Sequence, residues 1–219
     1  MCNGLLSIRQ VWQIQEPFEF TEEELNFLVA NPLTEKRKWK DSIYKPIKDR
    51  IREYYLGLQN CTCAYCRLPL NAGTDSIEIE HIVDKNRRAD FTFEPLNLVV
   101  SCRNCNFTKT TDRVLHNCPP INQYPSIETA FKIIHGHYDD YFINIEFREG
   151  SIYHALTDKG EFTITTCGLD REPLAVQREE VEMHHDDPLI AKVVELRKSG
   201  NNTALLDDIM QQLNNIANQ

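Results

Sequence analysis

The stretch "SIEIEHIVDK", residues 76–85, alternates like a half-buried strand until two polar residues interrupt it. Ile77 and Ile79 alternate with polar neighbours, and then Glu80 and His81 stand side by side. Adjacent residues of a strand point to opposite faces, so one member of this pair should face inward. A buried carboxylate is costly unless it is paired or binds a cation. The stretch therefore predicts a strand in which the Glu-His pair has a role beyond packing in the core.

Two short cysteine motifs flank this strand, "CAYC" at 63–66 and "CRNC" at 102–105, with 35 residues between them. Each motif can present two thiolates to one metal, and two motifs together supply the tetrahedral four-sulfur set that zinc favours. A closed four-thiolate site leaves no position for substrate water, which predicts a structural zinc. Redox chemistry and chance are the alternatives, and Cys61 is the one competing ligand. The predicted zinc ligands are Cys63, Cys66, Cys102 and Cys105.

The residues between the two cysteine motifs predict a hairpin. "IEIEHIV" reads as one strand, "DKNRRADFTFEP" as a long polar loop, and "LNLVVSC" as a second strand. The second strand runs directly into "CRNCNFTKTTD", which reads as a short polar helix. The pattern predicts a β-hairpin and a helix that one metal ion holds at both ends.

Composition narrows the class of protein. An apolar content of 41% over 219 residues supports a folded core. The sequence contains no run of 18 or more apolar residues, so no membrane span is predicted. The N-terminus does not resemble a secretion signal, so we expect a cytoplasmic protein with reduced cysteines. The net charge of −9 is uneven: residues 34–55 carry +4 and residues 114–219 carry −9. The basic segment could contact phosphates, or it could be the solvated face of an ordinary helix.

The fold class predicted for the whole chain is α+β in three parts: an N-terminal helical region with a basic helix at 1–60, a metal-stapled core at 61–113, and a mixed accessory region at 114–219. "TEEELNFLVANP" (21–32) predicts a helix, and a second helix should begin near Pro46.

Further helices and strands are predicted in the accessory region. "SIETAFKIIHGHY" (126–138) predicts a helix that passes into an irregular segment. Residues 142–167 alternate like strands, with turns predicted at Glu149-Gly150 and Lys159-Gly160. From Pro188 onward two helices are expected, and the apolar stripe of the last one suits either the core of this chain or a partner protein.

The run "CAYC … IEIEHIV … LNLVVSCRNCNFTK" resembles the HNH endonucleases, in the variant whose ββα-metal motif is stapled by four cysteines. The resemblance covers about residues 61–113. It implies that Glu80 takes the place of the acid that binds the catalytic metal and that His81 is the general base. It also implies that Asn97 braces the loop and orients the histidine, and that Asn106 contributes to the catalytic metal.

This chain has Glu where the family commonly has Asp, and Asn106 where many members have His. An oxygen-based site favours Mg²⁺ or Mn²⁺ over zinc as the catalytic ion. A neutral imidazole can deprotonate water at pH 7, and a divalent cation can stabilise charge on the phosphate. The alternatives are a structural role for His81, a loop brace only for Asn97, and a helix cap for Asn106. Candidate contacts to the nucleic-acid backbone, which surface solubility explains nearly as well, are Lys85, Arg87, Arg88 and Lys109.

The residues after the core resemble the nuclease subunit of bacterial Septu-type anti-phage defence systems, through "HGHYDD", "KGEFTI" and "LDREPL" in that order. That resemblance implies a separate ATPase partner.

DNA is the favoured substrate, and RNA cleavage fits the same motif. The alternative from another class of function is a zinc-stapled binding module without catalysis. By spacing alone a second metal site could use four residues of a turn, for which a packed turn is the alternative: His135, His137, Asp139 and Asp140.

Overall fold

The computed structural model describes residues 12–33, 39–70, 77–109, 113–148, 152–171 and 174. One compact unit comprises Met1–Arg148 and Ile152–Arg171, and a second comprises Glu149–Ser151 and Glu172–Gln219. All described residues except Leu174 belong to the first unit. The two helices predicted beyond residue 188, with the apolar stripe of the last one, lie outside the described residues.

Both predicted N-terminal helices are present. Helix α1 spans Glu22–Ala30 and begins with a capping box, in which the Thr21 hydroxyl accepts from the Glu24 amide and the Glu24 carboxylate accepts from the Thr21 amide. Helix α2 spans Lys45–Leu58 with a proline in its first turn, as predicted.

Helix α2 packs against the central hairpin. It buries Ile47, Ile51 and Tyr55, which are four residues apart and therefore share one face. At its C-terminal end the buried Gln59 side chain accepts from the backbone N–H of Val100 and donates to its carbonyl, both at 2.8 Å. The Gln59 amide thus makes with Val100 the two hydrogen bonds that a neighbouring strand would otherwise make, and it attaches the hairpin to α2.

The hairpin and the helix predicted around the cysteine motifs are both confirmed. Strand β1 spans Ile77–His81 and pairs antiparallel with β2, Leu98–Cys102. The register places Ile77 opposite Cys102 and His81 opposite Leu98. Helix α3, Arg103–Lys109, follows β2 without a break. The α+β class predicted from the sequence is therefore confirmed.

The strands predicted for residues 142–167 are only half right. A short helix α4, Tyr141–Asn144, leads into β3, Ile145–Arg148, which pairs with β4, Ile152–Ala155, as an antiparallel hairpin. The last part is a helix instead, α5, Asp158–Cys167, and no turn forms at Lys159-Gly160.

Gly160 explains this error. The Thr157 hydroxyl caps α5 by accepting from the Gly160 amide, and the helix backbone lies directly against Asn144. A Cβ at position 160 would lie 2.0 Å from the Asn144 carbonyl oxygen, so the glycine permits a close approach and does not mark a turn. Helix α5 ends where Gly168 adopts a left-handed conformation, with φ of 59°.

Residues 126–138 were predicted to form a helix that passes into an irregular segment, and the helical part of this prediction is wrong. Apart from one 3₁₀ turn, Glu128–Ala130, this segment is irregular. Its backbone bonds to distant residues: the Lys132 amide donates to the Val114 carbonyl at 2.7 Å, and the Ile134 amide donates to the Thr163 hydroxyl at 2.8 Å. These tertiary hydrogen bonds take the place of those that a helix would make.

The accessory segment is fastened to the core at several backbone positions. The Tyr141 hydroxyl donates to the Tyr65 carbonyl at 2.6 Å, and the Tyr153 hydroxyl donates to the Cys66 carbonyl at 2.5 Å. The boundary predicted after residue 113 therefore does not coincide with a boundary between compact units. Among the described residues, every helix is too short or too polar to cross a lipid bilayer.

Candidate active site and metal centre

The four predicted zinc ligands come together. The Sγ atoms of Cys63, Cys66, Cys102 and Cys105 all lie within 4.8 Å of one another, and Cys66 Sγ lies 3.9 Å from Cys102 Sγ. Tetrahedral Zn–S bonds of about 2.3 Å put the sulfurs about 3.8 Å apart, so the cluster fits one zinc ion. Cys61 does not join the cluster.

The surroundings of the cluster suit thiolates that share a cation. The Cys102 amide donates to Cys63 Sγ at 3.3 Å, and the Cys105 amide donates to Cys102 Sγ at 3.4 Å. Arg171 brings a guanidinium N–H to 3.7 Å from Cys105 Sγ. Burial raises the pKa of the Cys63 thiol well above its usual value, so four thiolates at this depth require a cation.

His81 ends β1 and is 3% exposed. Its Nε2 lies 3.1 Å from the Thr92 carbonyl oxygen, and the Trp39 ring lies edge-on to its imidazole with the ring centroids 4.7 Å apart. Burial, followed by the charge of Lys85 and then of Lys109, holds the pKa of His81 well below its usual value, so the ring is neutral at pH 7. A carbonyl oxygen only accepts, so the proton of the neutral ring is on Nε2 and Nδ1 is the basic nitrogen.

Asn97 closes the loop that leads from β1 to β2. Its Oδ1 accepts from the Val83 amide at 2.7 Å, and its Nδ2 donates to the carbonyls of Val83 and Phe91, both at 3.0 Å. Phe91 precedes Thr92, whose carbonyl holds the His81 ring. These contacts are those of the loop brace that the resemblance implies for Asn97, while its part in catalysis stays a prediction.

Glu80 is buried beside a lysine. Its Oε1 lies 2.6 Å from Lys109 Nζ and accepts from the Tyr65 hydroxyl at 3.3 Å. Lys109 Nζ also donates to the His81 carbonyl at 3.0 Å. Because both contacts of the carboxylate use Oε1, its Oε2 is the atom that could bind a cation.

Asn106 lies on α3, as predicted, and donates an amide hydrogen bond to Glu78. Glu78 is two residues before Glu80 and therefore projects from the same face of β1. With Nδ2 committed to Glu78, Oδ1 is the Asn106 atom available to a cation. Carboxylate and amide oxygens suit a hard divalent ion, so the donor chemistry of Glu80 and Asn106 fits Mg²⁺ or Mn²⁺.

Two of the four candidate nucleic-acid contacts have partners within the protein. Lys109 is 1% exposed and neutralises Glu80, since a buried carboxylate needs a counter-charge. The half-buried Arg88 guanidinium binds Asp90 through two hydrogen bonds at 2.9 and 2.6 Å. Arg87 is exposed and Lys85 is half-buried, and their contact with nucleic acid stays a prediction.

Three of the four basic residues of α2 pair with acids. Arg50 forms an ion pair with Glu24, and Asp49 pairs with both Lys45 and Arg52. This arrangement matches the solvated face of an ordinary helix, the second of the two interpretations of the basic segment.

The turn with the sequence "HGHYDD" is packed by its own polar contacts. The Asp139 carboxylate accepts from the His135 amide at 2.7 Å and from Lys159 at 2.8 Å. His137 Nε2 lies 2.9 Å from the Leu98 carbonyl, and the Asp140 carboxylate accepts from the Phe142 amide at the start of α4. Among the described residues, the four cysteines form the only group of three or more Cys, His, Asp or Glu that could hold a metal ion.

A groove of about 700 Å³ lies in the accessory segment and is lined only by residues between positions 116 and 162. It does not include Glu80, His81 or any of the four cysteines. The groove therefore does not define the candidate active site.

A comparison with protein families finds that the model of the HNH endonuclease family matches residues 63–112. The match covers less than a quarter of the 219-residue chain and includes Glu80, His81, Asn97 and Asn106. Residues 63–112 are thus an HNH endonuclease domain with a four-cysteine cluster close enough to bind a metal. No curated protein and no solved structure matches the chain. The resemblance of the C-terminal region to the Septu nuclease subunit stays a prediction.

Several residues around the site are not apparent from motifs. Lys109 follows Asn106 by three positions on α3, so helical spacing could have placed it on the same side as Asn106. Tyr65 lies within "CAYC", but the motif identifies only its two cysteines as functional candidates. Thr92 contributes a backbone carbonyl and Trp39 a ring contact, and neither carries a sequence signal.

Proposed function

We propose that this chain is a metal-dependent endonuclease that hydrolyses phosphodiester bonds, with DNA as the favoured substrate. The observation that carries the proposal is the state of His81: a neutral imidazole whose Nε2–H is held by the Thr92 carbonyl, so that Nδ1 is the base. It lies inside the segment that matches the HNH endonuclease family.

In this proposal His81 Nδ1 removes a proton from the attacking water, since a neutral imidazole is the side-chain base best suited to pH 7. Asn97 keeps the loop and the ring orientation fixed. The oxygens of Glu80 and Asn106 would hold Mg²⁺ or Mn²⁺, which when bound supplies positive charge to the phosphate. A phosphodiester across the end of β1 would meet both the His81 and the Glu80 side of the strand.

A zinc-stapled binding module without catalysis is the second candidate. It is favoured by the Glu80–Lys109 ion pair, in which a positive charge already neutralises the predicted metal ligand. It is also favoured by the burial of His81 beneath Trp39. A pure binding module, however, gives no reason for the fixed tautomer of His81 or for the Asn97 brace of the loop that orients it.

We further propose that the nuclease is the effector of a bacterial anti-phage defence system and works with an ATPase partner. The support is the order of "HGHYDD", "KGEFTI" and "LDREPL" after the HNH domain. The acidic excess of residues 114–219 suits protein docking better than nucleic-acid contact. Affinity purification from native cells, followed by mass spectrometry, should recover an ATPase with the chain.

The activity is tested with the purified full chain on supercoiled plasmid and on single-stranded RNA, with Mg²⁺, with Mn²⁺ and with EDTA. We expect metal-dependent nicking of the plasmid. His81→Ala should lower the rate about 10²- to 10⁴-fold while the protein stays folded and zinc-loaded. His154→Ala is the matched control, because His154 lies in β4, outside the HNH domain.

The outcomes separate the candidates. Cleavage by His81→Ala at the wild-type rate would falsify the assignment of the base. Cleavage of RNA alone changes the substrate and keeps the mechanism. A folded, zinc-loaded wild type that binds nucleic acid and cuts neither substrate, alone or with the co-purified ATPase, favours the binding module.

A further inference from the structure

We propose that Tyr124 and His135, which lie outside the segment that matches the HNH family, are positioning residues for the nuclease. They hold Asn97 and, through Asn97, the loop whose Thr92 carbonyl orients His81. The proposal rests on the proposed nuclease function and assigns a role to the "HGHYDD" turn.

Asn97 is completely buried, and its side chain makes every hydrogen bond that an amide can make. Three of the four bonds go to the backbone of Val83 and Phe91. The fourth comes from the Tyr124 hydroxyl, which lies 3.1 Å from Asn97 Oδ1. Because the Val83 amide can only donate, it identifies Oδ1 and so fixes the orientation of the amide. Tyr124 is thus the side chain that secures the brace from outside the loop.

The hydrogen bonds of this chain of groups run in one direction. His135 Nδ1 accepts from the His137 amide at 3.3 Å, so the proton of a neutral ring must be on Nε2. Burial, followed by the charges of His137 and Lys159, lowers the pKa of His135 well below its usual value and keeps the ring neutral. Nε2–H then donates to the Tyr124 oxygen at 2.9 Å, which directs the hydroxyl proton to Asn97. The tautomer of His135 therefore sets the orientation of Tyr124.

His135 is itself rigidly held. Its amide donates to Asp139, and its ring is stacked on Tyr138 with centroids 4.1 Å apart and an interplanar angle of 13°. Asp139 is in turn bound by Lys159 of α5. A chain of direct contacts thus connects α5 to the loop that carries the acceptor of His81. Such support can matter for rate, since displacing a catalytic group by about 1 Å can cost about 100-fold.

The test compares four variants of the full chain in the plasmid assay. Tyr124→Phe and His135→Leu remove one link each and should lower kcat about tenfold with KM unchanged. His135→Gln keeps a side-chain N–H donor toward Tyr124 and should restore kcat to within about threefold of the wild type. Tyr138→Phe is the control, because it removes a hydroxyl that donates to the Pro125 carbonyl and leaves the ring that stacks on His135. It should leave kcat unchanged.

Hydrogen exchange gives a readout that does not depend on cleavage. Peptides covering residues 82–97 should exchange faster in Tyr124→Phe and His135→Leu than in the wild type, and at the wild-type rate in Tyr138→Phe. If Tyr124→Phe and His135→Leu both keep the wild-type kcat and the wild-type exchange rates, the proposal is overturned. Equal losses in Tyr138→Phe would also overturn it. If the wild type cuts no substrate, the proposed function fails, and the exchange rates still decide whether Tyr124 and His135 hold the loop.

Discussion

Lys109 Nζ lies 2.6 Å from Glu80 Oε1, and the two side chains are 1% and 5% exposed. The pair joins the end of β1 to the last turn of α3, and the same ammonium group donates to the His81 carbonyl. Two charges at this depth are tolerable only together, because each alone would lack its compensating partner.

Lys109→Met should lower the free energy of unfolding by about 3–5 kcal/mol, because it leaves the Glu80 carboxylate buried without a counter-charge. The double variant Glu80→Gln/Lys109→Met should lose less than Lys109→Met alone, since no buried charge is left over. Urea unfolding of the wild type, both single variants and the double variant measures the coupling. Strictly additive losses would show that the ion pair does not stabilise the protein.

One zinc ion per chain is expected from elemental analysis of the purified protein. Cys63→Ser should prevent folding of the core, since binding of structural zinc contributes about 10–16 kcal/mol in small zinc domains. Cys118→Ser is the control, because Cys118 is exposed and lies outside the cluster. A folded Cys63→Ser protein, or a metal-free wild type with the same thermal stability, would contradict the structural role of the metal.

Asn106→Ala should raise the Mn²⁺ concentration that gives half-maximal cleavage by at least about tenfold, because it removes one oxygen donor of the divalent ion. The rate at saturating Mn²⁺ should fall less than the apparent affinity does. Asn104→Ala serves as the control, since Asn104 is exposed on the same helix and was assigned no ligand role. Equal metal dependence in the two variants would remove Asn106 from the cation site.

Stability should fall as the pH is lowered from about 6.5 towards 4. Burial lowers the pKa of His137 to about 4, whereas an unfolded histidine titrates near 6.5. Between these values the unfolded chain binds the extra proton, so protonation favours unfolding and the stabilisation present above pH 6.5 is lost on acidification. The slope is at most about 1.4 kcal/mol per pH unit for each such histidine.

Urea unfolding at pH 7 and at pH 5 measures this slope. His137→Gln should reduce it, because glutamine keeps an N–H donor for the Leu98 carbonyl and does not titrate. An unchanged slope in this variant would assign the pH dependence to other groups.

The cysteine spacing and the alternation around Glu80 are sufficient to predict the hairpin, α3 and the metal cluster. These features are local, since each cysteine motif and each strand is specified by a few neighbouring residues. The helix caps were predictable for the same reason, as Thr21 shows. The error at Gly160 has the opposite cause. A glycine needed for close packing against Asn144 has the same sequence signal as a glycine in a turn.

The sequence by itself determined which residues are the candidates for the chemistry: four cysteines, a Glu-His pair and two asparagines in a recognisable order. Only the tertiary structure decided their partners. It paired Glu80 with Lys109, Asn106 with Glu78, and Asn97 with Tyr124, which is 27 positions away in the chain. Spacing cannot predict such contacts, because a buried polar group takes its partner from whichever element packs against it, and that choice is made by the fold of the whole unit.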